Sequence, residues 1–336
     1  EVICKKYITK KIRRKTMNEK NPFYNRVLLP EYVTAELSWE QLLKIKEEAL
    51  AKLNITLQSE VAINQISTDE KKITDSNGAI HHYDTLILAT GSRPFVPENA
   101  QLHLPGRFTI RKKDDADRLR NYLEQTQLPP EEQHVVIVGG GLLGLELAAA
   151  LKHKKVKITI IQRASRLMER QLDRISSKLL AEEVQQRDIQ IYFDNEVSTV
   201  FSTNRAHELE IALKSGRTLT ANAIVYTIGT IPNIEVAKEA GLTCARGVKV
   251  NQYLQSSNPS IFAIGEIAEF NNQLFGITSA AEEQADILAN YLAGDISSHY
   301  KGSVLMNILK LEDINLCSIG EIEVPENDDS YEEIVF

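Results

Sequence analysis

The run His134-Val-Val-Ile-Val-Gly139-Gly-Gly141-Leu-Leu-Gly144-Leu-Glu-Leu-Ala148 constrains the chain more than any other stretch. A short apolar run of β type leads into three glycines, and a helical pattern follows at once, so the segment reads as strand, tight turn and helix. Each glycine then has a task. Gly139 makes the sharp turn, Gly141 lets the backbone approach a pyrophosphate, and Gly144 brings the helix against the strand, with Ala148 keeping that packing close. The helix N-terminus, with Leu142 and Leu143 in its first turn, offers unpaired N–H groups and the positive end of the helix dipole to an anion. The segment predicts a dinucleotide-binding turn. Val135–Leu151 is almost wholly apolar, yet its glycines and Glu146 interrupt it, which makes it a buried strand, turn and helix and not a membrane span.

The following strand, Val156–Ile161, ends at Gln162, where a carboxylate ordinarily takes the ribose hydroxyls. Gln162 can hydrogen-bond a sugar without repelling a 2′-phosphate. Arg163 and Arg166 come next, either as ligands of that phosphate or as solvated surface. NADH and NADPH both stay open.

Composition excludes several classes. At 336 residues and 43% apolar content the chain is globular and long enough for two or three domains. Lys and Arg total 39 against 46 Asp and Glu, a net charge of −7, which argues against a nucleic-acid binder. Residues 1–20 hold eight Lys and Arg against two Glu, and the segment 321–336 is acidic and without a base. Cys4, Cys244 and Cys317 form no CxxC pair, zinc spacing or disulfide framework, so a reducing, cytoplasmic compartment is expected. The histidines show no metal spacing, and His81-His82 reads as surface at a hairpin. No P-loop, G-x-S-x-G or HExxH occurs, which leaves kinase, hydrolase and zincin readings without support. Glu1 at the start and a strand-like end at Phe336 both read as cut.

Around the glycine turn, two αβ regions share a similar plan. Ser38-Trp-Glu-Gln41 has capping-box spacing and predicts a helix running to Leu53. β segments at 55–57, 61–66 and 72–74 follow, with Asp75-Ser-Asn-Gly78 as a hairpin turn. Thr85–Ala89 reads as a strand buried on both faces. A helix is expected near 114–125, a glycine turn and helix at 139–153, a helix at 171–186, strands at 134–138, 156–161, 223–228 and 260–264, and two more strands at 304–311 and 314–319.

Three further segments complete a recognisable order: Ala89-Thr-Gly-Ser-Arg-Pro94 before the glycine turn, Ile228-Gly-Thr-Ile-Pro-Asn233 after it, and Ile261-Phe-Ala-Ile-Gly-Glu266 later. The arrangement resembles the FAD- and NAD(P)-dependent pyridine nucleotide oxidoreductases, most of all the flavin modules of assimilatory nitrite reductases and of NADH:rubredoxin reductases. Asn21-Pro-Phe-Tyr-Asn-Arg26, Gly265-Glu266 and Met168-Glu-Arg-Gln-Leu-Asp173 carry that narrower likeness. The resemblance implies an α/β fold with two nested Rossmann-like domains: FAD domain 1–110 and 236–300, NAD(P) domain 111–235, and a C-terminal α+β interface domain beginning at 301–336. It implies FAD as cofactor beside NADH or NADPH. Glu19 would take the adenosine ribose, and Arg26 would lie against the FAD phosphates. Val61 and Ala62 would line the adenine, and Ala89, Thr90 and Gly91 would pass near the flavin. Gly265 and Glu266 would hold the ribityl or pyrophosphate region, and Gly276 and Thr278 would start a helix aimed at the ring. Ile228 and Gly229 would close the nicotinamide domain, and Glu146 would be the acidic residue nearest the reacting rings.

The sequence departs from that family in one large respect. The first glycine fingerprint is missing, and a basic segment without glycine, Cys4 to Thr16, stands in its place. Without a cysteine pair, no thiol–disulfide relay is expected. A lysine that some relatives carry beside the flavin is replaced near Glu31. The implied activity is hydride transfer from NAD(P)H to FAD, with electrons passing to an acceptor protein or domain, of rubredoxin type or a sirohaem and iron–sulfur reductase domain. The rivals are a redox-inactive nucleotide-binding fragment and an NAD(P)H oxidase.

Overall fold

Strands buried on both faces must be nearly all apolar, and the runs His134–Val138, Lys157–Ile161 and Ala223–Tyr226 have that character. They form the centre of a parallel sheet in the computed structural model, which describes residues 13–17, 19–20, 23–45, 55–311, 314–320 and 322.

In chain order the first elements are β1 (Arg13–Met17), α1 (Leu29–Val33), α2 (Trp39–Leu42) and β2 (Ile55–Ser59). Next come β3 (Ile63–Ser67), β4 (Lys72–Asp75), β5 (Ile80–His82), β6 (Leu86–Leu88), β7 (Ser92–Pro94) and β8 (Arg107–Thr109). The central stretch holds α3 (Lys113–Gln125), β9 (His134–Val138), α4 (Leu142–His153), β10 (Lys157–Ile161), α5 (Arg174–Gln186) and β11 (Ile189–Tyr192). A meander follows, β12 (Val197–Ser202), β13 (Leu209–Leu213) and β14 (Thr218–Ala221), and then β15 (Ala223–Tyr226) and β16 (Thr230–Pro232). The remainder is α6 (Glu235–Glu239), β17 (Val248–Lys249), β18 (Ile261–Ala263), β19 (Ala268–Phe270), β20 (Gln273–Leu274), α7 (Thr278–Leu292), β21 (Met306–Leu311) and β22 (Ile314–Ile319).

By its contacts the chain divides into two compact units: Glu1–Asn25, Trp39–Arg93 and Thr230–Val304 make one, and Arg26–Ser38, Pro94–Gly229 and Leu305–Phe336 the other. The second unit is built on a five-stranded parallel sheet, β11-β10-β9-β15-β8. Val135, Val136, Ile137, Ile158, Ile160 and Ile224 in it are wholly buried. The antiparallel meander β12–β14 covers one face, closing an apolar layer of Val136, Val138, Val200, Ile211, Ile224 and Tyr226. Helices α1 and α3 pack on each other, α1 also packs on α4, and the β21–β22 hairpin joins α4 through β21. Asp173 ends the approach to α5 by accepting from the N–H groups of Ile175 and Ser176 at 2.8 and 2.9 Å, which starts that helix at 174 and not at 171.

In the first unit β6 and β18 run parallel in the register Leu86↔Ile261 to Leu88↔Ala263, over a core that includes Ile66, Leu88, Val248 and Ile261. β1 pairs in parallel with β2. The helix expected from 38 to 53 is cut short. α2 ends at Leu42 because Leu43 bridges Tyr24, with Lys44 N–H on Phe23 O at 2.7 Å and Asn25 N–H on Leu42 O at 2.8 Å. Ala49 and Leu53, the end of that expected helix, lie outside the described residues.

The Asp75–Gly78 turn joins β4 to β5 as expected, with Asp75 accepting from the N–H groups of Asn77 and Ala79. His81, expected at the surface, is instead half-buried, and its Nε2 lies 2.8 Å from Asp75 Oδ2. Across β4 and β5, Ile73 faces His81, which brings the imidazole back over the turn. His82 is exposed.

Candidate functional site

The glycine turn lies at the C-terminal end of β9, between β10 and β15, which is where open parallel sheets bind ligands. Its four glycines differ in what they exclude. Gly139 has φ +113, and a Cβ there would stand 2.7 Å from the backbone O of Thr227. At Gly144 the same atom would stand 2.0 Å from Gly139 O and 2.8 Å from Thr227 Oγ1. At Gly140 it would meet Leu167 Cδ2 at 2.5 Å. A Cβ on Gly141 meets nothing within 4 Å. Three glycines are therefore filled on their inner side by the protein, and the fourth, at the N-cap of α4, is open. That combination fits a dinucleotide pyrophosphate: a turn fixed from behind, a backbone that can be approached closely, and a helix N-terminus without a side-chain cap. Leu142 and Leu143 are half-buried in the first turn of that helix.

Three partners of this turn were not anticipated from the sequence. Thr227, just after β15, donates from Oγ1 to Val138 O and Gly139 O at 3.0 and 3.2 Å, pinning the strand end. Met168 N–H donates to Gly140 O at 2.9 Å. Leu167, wholly buried, blocks Gly140. A usable signal existed only for Thr227, since the residue after a neighbouring parallel strand falls beside the turn.

Gln162 is placed differently from the sugar-facing role expected of it. Its side chain is buried and turned back to the glycines: Oε1 accepts from Gly140 N–H at 2.8 Å, and Nε2 donates to Arg166 O at 3.0 Å. The amide is neutral and matches one donor and one acceptor of the loop, which an ionised carboxylate, an acceptor only, could not do. Arg166 is half-buried, donating from Nη2 to Glu169 O at 2.9 Å, while Arg163 is exposed.

Glu146 sits half-buried in α4, four residues past the first helical position. Burial, and secondarily the charge of Glu31 on α1, pushes its carboxyl up to about 7.

In the other unit, Thr90 and Gly91 follow β6, and Gly265 and Glu266 follow the adjacent parallel strand β18. Ser92 Oγ donates to Glu266 Oε2 at 3.0 Å, and that oxygen would be 3.7 Å from a Cβ on Gly91. Gly265, at φ +77, donates its N–H to Oε1 of the wholly buried Gln284 at 2.7 Å. Gln284 was missed, although Ala280, Gln284 and Leu288 share one face of α7 at helical spacing. Asn233 clasps the same region. Its backbone O accepts from Thr90 Oγ1 at 2.7 Å, its Nδ2 donates to Thr90 O at 2.9 Å, and its N–H donates to Gly91 O at 2.9 Å. Ala89, Thr90, Gly276 and Thr278 are exposed, a Cβ on Gly276 would meet nothing within 4 Å, and α7 starts at Thr278 without a side-chain cap. Glu19 lies just past β1 and accepts from Tyr24 Oη at 3.0 Å. Both backbone groups of Ala62 bond Ser76, its O accepting from Ser76 N–H at 2.8 Å and its N–H donating to Oγ at 3.3 Å. The Glu266 cradle and the open start of α7 fit a second, hydroxyl-rich nucleotide cofactor such as FAD.

Arg26, Ile228 and Gly229 belong to the unit of the glycine turn. Arg26 Nη1 donates to Arg111 O at 3.0 Å. Gly229, at φ +106, accepts at its O from Phe95 N–H at 2.9 Å, and Ile228 is exposed. Among the described residues no group of three His, Cys, Asp or Glu is arranged for a metal, and no helix is long and apolar enough to cross a membrane.

The family model for pyridine nucleotide-disulphide oxidoreductases matches residues 5–285. The assimilatory nitrate reductase electron transfer subunit of Bacillus subtilis (strain 168) is 31% identical over 92% of this chain and 39% of its own length. Nitrite reductase [NAD(P)H] of the same organism is 30% identical over 92% and 37%. The chain thus spans under two-fifths of these relatives. Among solved structures, the covalent putidaredoxin reductase–putidaredoxin complex aligns with a TM-score of 0.85 at 25% identity, over 92% of this chain and 75% of that one. NADH:rubredoxin oxidoreductase from Clostridium acetobutylicum aligns at 0.77 and 25% identity, over 95% and 78%. The chain belongs to the pyridine nucleotide-disulphide oxidoreductase family and has an α/β fold matching structures of that family.

Proposed function

We propose that this chain is the flavin-reducing part of an electron-transfer enzyme: NAD(P)H binds the glycine turn, FAD binds the cradle after β6 and β18, and electrons leave for an acceptor protein or domain. The observation that carries the reading is the turn itself, closed behind Gly139, Gly140 and Gly144 and open at Gly141. FAD supplies two-electron chemistry, taking hydride from the nicotinamide and passing electrons onward. The chain's residues bind and orient. The N-terminus of α4 and Gly141 hold the pyrophosphate, and Arg163 is the exposed cation available to a 2′-phosphate. Thr90, Gly91, Glu266, Gly276 and Thr278 hold the flavin side, with Glu19, Val61 and Ala62 toward the adenosine half. Nested FAD segments 1–110 and 236–300 around a nicotinamide domain 111–235 express that division. Hydride transfer needs close, aligned rings more than an acid or base, so these groups act by positioning.

The absence of a CxxC pair from the sequence points electrons away from a disulfide. The relatives named for nitrate and nitrite reduction, and the neighbours named for putidaredoxin and rubredoxin, support a protein or domain acceptor, either rubredoxin-like or a sirohaem and iron–sulfur reductase domain. The test is an anaerobic titration of the FAD-loaded chain with NADH and NADPH, followed by flavin absorbance. Bleaching of protein-bound flavin is expected; nucleotide binding without retained flavin overturns the reading in favour of a redox-inactive fragment. Oxygen consumption matching NAD(P)H loss would identify an oxidase instead.

A further inference from the structure

Both ends of the Asn233 amide are committed, and each partner accepts only one end of it. Asn233 follows β16, the strand paired with β7, and stands beside the Thr90–Gly91 loop that leads into β7. Its Nδ2 donates to Thr90 O at 2.9 Å, and its Oδ1 accepts from Arg93 Nη1 at 3.0 Å. A guanidinium can only donate and a carbonyl oxygen can only accept, so the amide fits one way round. Turned over, it would set donor against donor and acceptor against acceptor. Arg93 is held in turn from its other side, where Nη2 lies 2.7 Å from Glu235 Oε1. The backbone of Asn233 completes the clasp, its N–H donating to Gly91 O at 2.9 Å and its O accepting from Thr90 Oγ1 at 2.7 Å. Both carbonyls of the loop are thus tied back. Among the described residues the N–H groups of Thr90 and Gly91 have no partner, so the loop offers donors to a ligand's acceptor atoms. The next residue, Ser92, is buried and donates to Glu266 Oε2 at 3.0 Å. A line of hydrogen bonds and chain therefore runs from the exposed Glu235–Arg93 pair through Asn233 to Thr90, Gly91, Ser92 and the Glu266 carboxylate.

We propose that Asn233, with its amide oriented by Arg93, is a positioning residue of the flavin cradle. It sets the Thr90–Gly91 loop and, through Ser92, the Glu266 carboxylate, so that the chain's hold on FAD depends on the Arg93–Asn233 pair. The inference rests on the reading of this loop and Glu266 as the FAD side. Arg93 acts through Asn233 and not by its own charge on the cofactor, since Glu235 already meets that charge. Two consequences separate this from a general contribution to folding. Any side chain at 93 that still donates to Asn233 Oδ1 keeps the cradle set. Removing Arg93 after Asn233 has been removed costs nothing more, because residues that act as one unit do not contribute additively.

The test is release of FAD from the FAD-loaded chain after dilution, followed by the return of free-flavin fluorescence. Asn233→Leu removes both ends of the amide and should speed release at least about tenfold. Arg93→Met should speed it about threefold to tenfold, and Arg93→Lys, which keeps a donor for Oδ1, should bring it back to within about twofold of wild type. The double variant, Arg93→Met with Asn233→Leu, should release FAD no faster than Asn233→Leu alone. Wild-type release from Asn233→Leu or Arg93→Met overturns the inference. So does equal release from Arg93→Met and Arg93→Lys, or a double variant in which the two losses multiply. Should Asn233→Leu fail to fold, Arg93→Met against Arg93→Lys, at an exposed position, decides the matter alone. A wild-type chain that retains no FAD overturns the reading of the cradle and the inference with it, whereas FAD held equally by wild type and variants overturns the inference only.

Discussion

Substituting alanine at Gly141 and at Gly144 separates what the turn needs for folding from what it needs for its ligand. A methyl on Gly144 would be 2.0 Å from Gly139 O, a backbone atom that cannot rotate away, and 2.8 Å from Thr227 Oγ1. Ordinary carbon–oxygen contact starts near about 3.4 Å, so α4 has to back off β9 by more than about 1 Å, loosening Leu145, Ala148 and the strand beneath. Overpacking of this kind costs about 1–3 kcal/mol, and here the clash is with backbone on a helix packed on both sides. Alanine returns up to about 1 kcal/mol as a better helix former. The net loss should be about 2 kcal/mol. Gly141 has φ −89 and ψ −175, a conformation open to any residue, and no atom within 4 Å of the added methyl. Gly141→Ala should therefore leave stability within about 0.5 kcal/mol and weaken nucleotide binding at least about tenfold, because the methyl stands where the backbone must be approached. Urea unfolding with a constant m-value and calorimetric titration of each variant read the two effects. A Gly144→Ala variant as stable as wild type, or a Gly141→Ala variant binding as wild type does, would refute the reasoning.

Three other perturbations follow from single contacts. Gln162→Leu removes the acceptor of Gly140 N–H and the donor to Arg166 O, and should cost about 1–3 kcal/mol in urea unfolding together with weaker nucleotide binding. Arg107 is 2% exposed and donates to Pro105 O at 2.9 Å and Val200 O at 3.0 Å, so Arg107→Met should loosen β12 from β8 by about 1–3 kcal/mol; unchanged unfolding would show that the two carbonyls find other partners. The hydrogen bond from His81 holds the Asp75 carboxyl below the usual carboxylate range, so the stability it supplies is present above about pH 4 and is lost as pH falls through its folded value; Asp75→Asn should flatten that part of the stability–pH profile.

What was legible in the sequence was legible because its cause is local. A glycine at the end of an apolar strand, an Asx turn at Asp75 and the continuous apolar runs of β9, β10 and β15 need only their own neighbours to be read. The misses share a different origin. Leu43 fits the helical pattern after Trp39, yet its backbone is taken by Tyr24, which lies nineteen positions earlier in a different local pattern. His81 reads as surface until cross-strand pairing brings it over Asp75. Gln162 stands where a sugar-binding carboxylate is expected, and only the three-dimensional turn reveals that Gly140 N–H and Arg166 O claim its amide. Propensity and spacing are properties of one segment; each of these outcomes is decided by a second.

The same division explains why the glycine turn is a demanding site despite its short motif. Gly139, Gly140 and Gly144 leave no room for a side chain, and apart from Gly139 O behind Gly144 the atoms that fill that room come from elsewhere, Thr227 after β15 and Leu167 after β10, while Gln162 and Met168 bond the loop. Three chain segments therefore meet around one loop, and the loop's geometry is set before any ligand arrives. Pre-setting it removes ordering entropy from binding, which is the economical way to hold a flexible dinucleotide. It also means that substitutions far from Gly139 in sequence, Thr227→Val foremost, should act on nucleotide affinity through the turn without touching the nucleotide.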